Sequence, residues 1–237
     1  MRPVAVLQFH RHDGAGFFAE HLHARGVPLH VVPLHAGAAL PPELDAVAGL
    51  ALLGGPCSVN DDLPVLRQTE RLVAAAVAAG VPVIGHCLGG QLLASALGAR
   101  VERSPHTEIG WFDVVAAAAP SARDWLGDEE RCAMFQWHYD AFSIPQGAEL
   151  IAGNALVPHQ AFVVADRHLG MQFHGEITPE KIEAWFDDGG RDELARGRGL
   201  PTVQTEERIR AQTPTALPSS RRVAGRLYDR WLQALRR

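Results

Sequence analysis

The sequence predicts an α/β fold, a doubly wound and mostly parallel sheet of flavodoxin-like type with helices on both faces and an antiparallel extension. Three observations carry this. Short apolar runs alternate with segments of helical period from the first residues onward, the pattern of a parallel sheet covered by helices. From Ile109 to Gln172 the pattern changes to short strands separated by turns. Between the two regions, an apolar run ends in Gly85-His-Cys-Leu-Gly89 and passes directly into Leu88, Leu92, Leu93, Ala96 and Leu97 at helical spacing.

Taken in order, Val4 to Phe9 reads as a strand, Gly16 to Arg25 as a helix and Leu29 to Leu34 as a second strand. Ala46 to Leu53 is a third strand, ending in Gly54-Gly55-Pro56. A helix from about Leu63 to Ala79 leads into the strand before Cys87. The extension holds strands at Ile109 to Ala117, Cys132 to Trp137, Glu149 to Ala152 and Gln160 to Ala165, with turns at Pro145-Gln-Gly and Ala152-Gly-Asn. Gly170-Met-Gln-Phe-His174 is a strand ending near His174. Thr178 then reads as an N-cap with Pro179 at the first helical position. That helix is expected to run to about Asp187, or to Ala195 with a break at Gly189-Gly190. Residues 1–195 form one domain, and 196–237 a basic helical extension packed on it. The extension holds ten arginines against three acids, a charge of +7; with −5 on the whole chain, −12 remains on the rest. Val223, Leu227, Trp231 and Leu235 give it an apolar stripe for docking, and Pro201, Pro214 and Pro218 are expected to bracket its loops.

The chemistry centres on Cys87. A cysteine on a glycine-flanked strand-to-helix turn has the geometry of a nucleophile elbow, and the helix N-terminus aimed at the sulfur favours the reactive thiolate. His174 and Glu176 lie two apart in extended chain and so face one side. A histidine moves the proton and a carboxylate fixes its tautomer. The glycine loop after the third strand and the amide of Leu88 offer two N–H groups for an oxyanion hole. All three segments fall at strand carboxyl ends, where ligands bind in such sheets.

The order Gly-Gly-Pro, Gly-x-Cys-x-Gly-Gly-Gln and Gln-Phe-His-x-Glu resembles the class I (triad) glutamine amidotransferases, in particular a stand-alone glutaminase domain of the GMP-synthase type. The resemblance implies Cys87 as nucleophile, His174 as general base and acid, and Glu176 as the orienting carboxylate. It implies Gly55 and Leu88 as oxyanion-hole positions and Gln91 as a glutamine contact. The segment Gln136-Trp-His-Tyr-Asp140 resembles the loop that holds the glutamine α-groups, which brings in His138 and Tyr139. The family usually has Pro between His and Glu, where this chain has Gly175; His86 occupies a position that the family varies.

The implied activity is release of ammonia from glutamine through a γ-glutamyl thioester, for a separate synthetase or other acceptor protein. The same site could instead serve a γ-glutamyl peptide or amide hydrolase, or a catalytically weak glutamine-binding regulatory subunit. The peptidase-like branch of the fold uses a different acid, so the His-x-Glu pair favours the amidotransferase branch.

Composition fits an intracellular enzyme: 237 residues, 47% hydrophobic, with three cysteines (Cys57, Cys87, Cys132) lacking disulfide or zinc spacing. Cys57 follows the glycine loop, and packing is its expected role. No leader pattern is seen at the N-terminus, and the apolar stretch Leu72 to Ile84 is broken by Gly80 and Pro82. A cytoplasmic protein without membrane or nucleic-acid partners is expected. Twelve histidines, among them His10, His12, His21, His23, His30 and His35, show no metal-ligand motif. No phosphate loop, dinucleotide fingerprint or repeat occurs, so neither cofactor nor metal is expected.

Overall fold

A computed structural model describes residues 2–41 and 43–236. Its strands are β1 (Val4–Gln8), β2 (Leu29–Pro33), β3 (Gly49–Leu52), β4 (Val83–His86), β5 (Val101–Ala116), β6 (Arg131–Phe142), β7 (Ala148–Gly153), β8 (Ala161–Val164) and β9 (His168–Met171). They form one sheet in the order β2-β1-β3-β4-β9-β8-β7-β5-β6. Pairing is parallel from β2 to β9 and antiparallel from β9 to β6. The helices are α1 (Gly16–His23), α2 (Pro64–Ala78), α3 (Leu88–Ala96), α4 (Pro120–Leu126), α5 (Pro179–Trp185), α6 (Arg191–Arg196) and α7 (Glu206–Leu232).

Strand alternation sorts the core onto two faces. Val4 and Val6 point to the side covered by Phe18 and Leu22 of α1, Trp125 of α4, and Leu227 and Trp231 of α7. Ala5 and Leu7 point to the side covered by Leu66 and Val73 of α2 and Leu92 of α3. A third cluster under the antiparallel end joins Ile109, Trp111 and Phe135 to Ile182, Phe186, Leu194 and Ile209.

Three local expectations are corrected. The β5–β6 hairpin outruns the expected strands at its open end, β5 starting at Val101 rather than Ile109 and β6 running on to Phe142 rather than Trp137. The strand passes Ser104-Pro105-His106 through a register shift between Arg103 and Glu108, the kind of irregularity where a strand tolerates proline. Ser104 Oγ bonds the His106 backbone there, donating to its carbonyl at 2.8 Å. Secondly, β9 stops at Met171, and His174 instead makes an isolated bridge to Phe135, its N–H reaching the Phe135 carbonyl at 2.9 Å. The helix capped by Thr178 follows the second of its two expected forms: it ends at Trp185 and resumes as Arg191–Arg196 across a kink in which Asp188 and Gly189 leave helical geometry. Lastly, Pro214 and Pro218 lie inside α7 rather than in loops. Each forfeits one backbone hydrogen bond, but the buried stripe Val223, Ala224, Leu227, Tyr228 and Trp231 ties the helix to the sheet, and tertiary packing overrides local propensity.

Candidate active site

Cys87 caps α3 at φ +49°, ψ −109°, a conformation rare for a residue with a side chain. The turn closes because Gly85 has no side chain: a Cβ there would stand 2.3 Å from the Gly89 backbone. The Cys87 N–H donates to the Met171 carbonyl at 2.9 Å, so the elbow is bonded to the end of β9, and His174 follows three residues on. Leu88 is the first residue of α3, where amides have no intrahelical acceptor. The backbone of Gly55 lies against Leu88, since a Cβ on Gly55 would come within 2.9 Å of Leu88 Cδ2. Both line a cavity of about 410 Å³ together with Cys87, Gln91, His138, Tyr139 and His174.

His174 is buried, with Nδ1 2.8 Å from Glu176 Oε1. Its Nε2 has no hydrogen-bond partner among the described residues, and His174 and Cys87 line the same cavity. Burial pulls the imidazole down, but the Glu176 carboxylate and then the Cys87 sulfur outweigh it, and the group is pushed up to about 10. The Trp185 indole packs edge-on against the ring at 4.8 Å and donates to the His12 carbonyl at 3.1 Å.

Behind this pair stands a set of charges that sequence reasoning missed. The Lys181 ammonium, buried on the first turn of α5, lies 2.8 Å from Glu176 Oε1 and 2.5 Å from Asp13 Oδ1. It also donates to the Gly14 carbonyl at 2.8 Å. Burial works against the charge of Glu176, yet Lys181 first, then His174, hold its carboxyl well below the usual range. The two carboxylates in turn keep Lys181 charged against its burial. One signal was present: an ammonium in a helix's first turn opposes the dipole, so a lysine there invites a search for its acids. Asp13, His174 and Glu176 also form a group with metal-like spacing, and the ammonium bridges its two carboxylates. Of the other histidines, His10 pairs with Asp188 at 3.2 Å and His21 with Asp229 at 2.9 Å.

His86, given no role from sequence, is fully buried beside Glu176. Its Nε2 is 3.0 Å from the Tyr228 hydroxyl and 4.0 Å from Glu176 Oε2, and burial pushes the ring down to about 4. Gly175, where the family usually has Pro, admits α7: a Cβ there would meet Tyr228 Oη at 2.9 Å and Ala224 Cβ at 3.2 Å. The departure thus accompanies a helix seated against the segment that carries His174 and Glu176.

Gln91 Nε2 donates to the Asp140 carbonyl at 3.1 Å and to Gln172 Oε1 at 3.3 Å, and Gln172 Nε2 points to Cys87 Sγ at 3.6 Å. Both ring nitrogens of His138 are engaged, Nε2 with Glu108 at 3.0 Å and Nδ1 with the Asp140 carbonyl at 3.2 Å. The His138 ring is thereby a strut for the cleft wall. The Tyr139 hydroxyl donates to Glu193 at 2.6 Å. Cys57 also lines the cleft, its thiol pushed up by burial.

In this α/β sheet the elbow residue Cys87 and His174, which is bonded to Glu176, line one cleft. The class I glutamine amidotransferase family model matches residues 17–188, and the chain belongs to that family. It is 30% identical over 205 residues to the glutamine amidotransferase-like protein YfeJ of Salmonella typhimurium, covering 84% of this chain and 85% of the relative. It is 33% identical over 164 residues to the GMP synthase of Aeropyrum pernix, covering 69% of this chain but 31% of that enzyme. Among solved structures, a glutamine amidotransferase of Methylobacillus flagellatus superposes with a TM-score of 0.96 at 38% identity, over 100% of this chain and 96% of that one. A Thermotoga maritima glutamine amidotransferase shares the fold, with a TM-score of 0.83 at 24% identity over 98% and 97% of the two chains. Among the described residues, no helix is long and apolar enough to cross a membrane.

Proposed function

We propose that the chain hydrolyses the side-chain amide of glutamine with Cys87 as nucleophile and delivers ammonia to a separate acceptor enzyme in the cytoplasm. The Cys87 thiol gives its proton to His174 Nε2 as the sulfur attacks the amide carbon, and the oxyanion is met by the N–H groups of Gly55 and Leu88. His174 Nε2 protonates the departing ammonia, leaving a γ-glutamyl thioester; the same nitrogen then takes a proton from water, which releases glutamate and restores the thiol. Glu176 holds the imidazole by Nδ1 through both steps. The observation that carries this reading is the unpartnered Nε2 of buried His174, which lines the same cleft as Cys87, itself at positive φ.

Ammonia and glutamate release from glutamine is the test, together with labelling by a glutamine-mimicking electrophile and peptide mass spectrometry. Labelling at Cys87 that is lost in His174→Ala supports the proposal. Labelling at Cys57 instead, or glutamine binding without turnover by wild-type protein, refutes it in favour of a regulatory subunit. A γ-glutamyl amide hydrolase is the second reading, because the cleft continues past His174 to His10, Trp185 and Asp188. It is favoured if kcat/KM for γ-glutamyl conjugates exceeds that for glutamine.

A further inference from the structure

Lys181 has no part in the chemistry above, yet it bonds the atom that braces the histidine. Glu176 Oε1 lies 2.8 Å from His174 Nδ1 and 2.8 Å from Lys181 Nζ, so imidazole and ammonium share one carboxylate oxygen. The other oxygen, Oε2, has no hydrogen-bond partner among the described residues, and His86 Nε2 stands 4.0 Å from it. The last torsion of a glutamate is broad and roughly two-fold. Two donors on one oxygen and none on the other select the oxygen that faces His174.

Lys181 is held in turn. Its amide donates to the Thr178 hydroxyl at 3.2 Å in the first turn of α5. Its ammonium meets Asp13 Oδ1 at 2.5 Å and donates to the Gly14 carbonyl at 2.8 Å. The Trp185 ring lies 5.1 Å from the ammonium and packs edge-on against His174. The loop that brings Asp13 is fastened to the same glutamate. The Phe17 N–H donates to the Glu176 carbonyl at 2.9 Å, and a Cβ on Gly16 would stand 2.2 Å from that oxygen. Asp13, Lys181 and Glu176 thus make a buried row of alternating charge that ends on the imidazole, and an Asp13 oxygen lies within 4.8 Å of a His174 ring nitrogen.

The row also tempers the histidine. Glu176 pulls the imidazole toward its charged form, and a cation within about 6 Å, beyond the shared oxygen, pulls the other way. A group that both gives and takes a proton works best when it holds that proton neither too tightly nor too loosely. The other titratable neighbours are the Cys87 sulfur at His174, and His86 and the Tyr228 hydroxyl at Glu176. His86 is pushed down to about 4 by burial and carries no charge at neutral pH, so Lys181 supplies the lasting positive charge. We propose that Lys181 is a positioning residue for glutamine hydrolysis: its ammonium, anchored by Asp13, keeps Glu176 Oε1 on His174 Nδ1 and offsets the carboxylate's charge, so that Nε2 can release its proton to the departing ammonia. This rests on the glutaminase reading.

The first test needs no turnover. NMR follows the His174 imidazole in the free protein, its resonances assigned by their loss in His174→Ala. The midpoint of its titration is expected to rise by about one pH unit or more in Lys181→Met and to fall by about as much in Asp13→Asn, because the two substitutions remove charges of opposite sign. Asp13→Asn keeps the ammonium on Glu176 and reads the same coupling should Lys181→Met fail to fold. The second test is hydrolysis of glutamine. Loss of a charged hydrogen bond predicts a kcat about 10- to 100-fold lower in Lys181→Met, with KM within about 3-fold. Midpoints that shift in the same direction or not at all, or a loss that appears in KM rather than kcat, overturn the proposal. Opposite shifts in a protein whose wild type releases no ammonia from glutamine overturn the glutaminase reading alone.

Discussion

Replacing Lys181 by Met removes the ammonium shared by Asp13 and Glu176 while keeping an unbranched apolar stem one atom shorter. Lys181, Asp13 and Glu176 are all buried, at 6, 4 and 0% exposure, and the ammonium sits 2.5 and 2.8 Å from the two carboxylates. Stripping one partner from a buried ion pair costs about 3–5 kcal/mol, because the remaining charge stays desolvated. Set against a total stability of about 5–15 kcal/mol, that is a large fraction. At about 2–4 °C per kcal/mol for a chain of this size, Tm falls by about 6–20 °C. The loss also has a sign with pH. Glu176 is held low in the folded protein, so its contribution is present above the unfolded carboxylate's pKa of about 4.3 and fades as pH falls through the folded value. Without Lys181 the carboxyl takes up its proton at higher pH, so the gap between wild type and variant is full at neutral pH and narrows in acid. Urea denaturation at several pH values reads both quantities. A loss below about 1 kcal/mol at neutral pH, or a gap that widens in acid, refutes the argument.

Three further outcomes follow from the same geometry. Glu176→Gln removes the strongest upward pull on His174, so the alkaline limb of kcat/KM moves below about 10 and kcat falls about 10³–10⁴-fold; a limb that stays in place refutes the assignment. Gly175→Ala drives a methyl into Tyr228 and Ala224 and is expected to cost about 1–3 kcal/mol. Tyr228→Phe removes the clashing hydroxyl, so the double variant is less than additively destabilised by denaturation, and strict additivity counts against the contact. His86, held down to about 4 by burial, binds its proton in the unfolded chain first. Stability therefore falls as pH drops from about 6.5 toward 4, by up to about 1.4 kcal/mol per pH unit. His86→Asn flattens that slope in denaturation series, and an unchanged slope places the acid sensitivity elsewhere.

The elbow, the glycine loop and the His-x-Glu segment were legible because each is a local pattern, a change of hydrophobic period or a two-residue spacing, and because parallel sheets gather strand carboxyl ends. Thr178 and Pro179 announced α5 for the same reason, since capping is read within one turn. What escaped was long-range. Asp13 meets Lys181 across most of the chain, and Tyr228 reaches His86 from a helix whose two prolines argue locally for loops. The kink at Asp188 and Gly189 was expected near its place, but nothing in the sequence around α6 says that Glu193 returns to β6. The β5–β6 hairpin outran its predicted open end because Pro105 sits at an irregularity, and a single chain does not reveal which proline a register shift will absorb.

The bond from the Cys87 amide to the Met171 carbonyl bears on how such a protein can diversify. Strands β4 and β9 are direct neighbours, paired through Ile84–Leu169, Gly85–Gly170 and His86–Met171, although the whole antiparallel module from β5 to β8 is threaded between them in the chain. The elbow and the end of β9 are thereby held a single interstrand step of about 4.8 Å apart, although more than eighty residues separate them in the chain. Substitution within the hairpins of the module can therefore reshape the outer walls of the cleft while the elbow keeps its bond to β9, so the two regions are free to vary separately along the polypeptide.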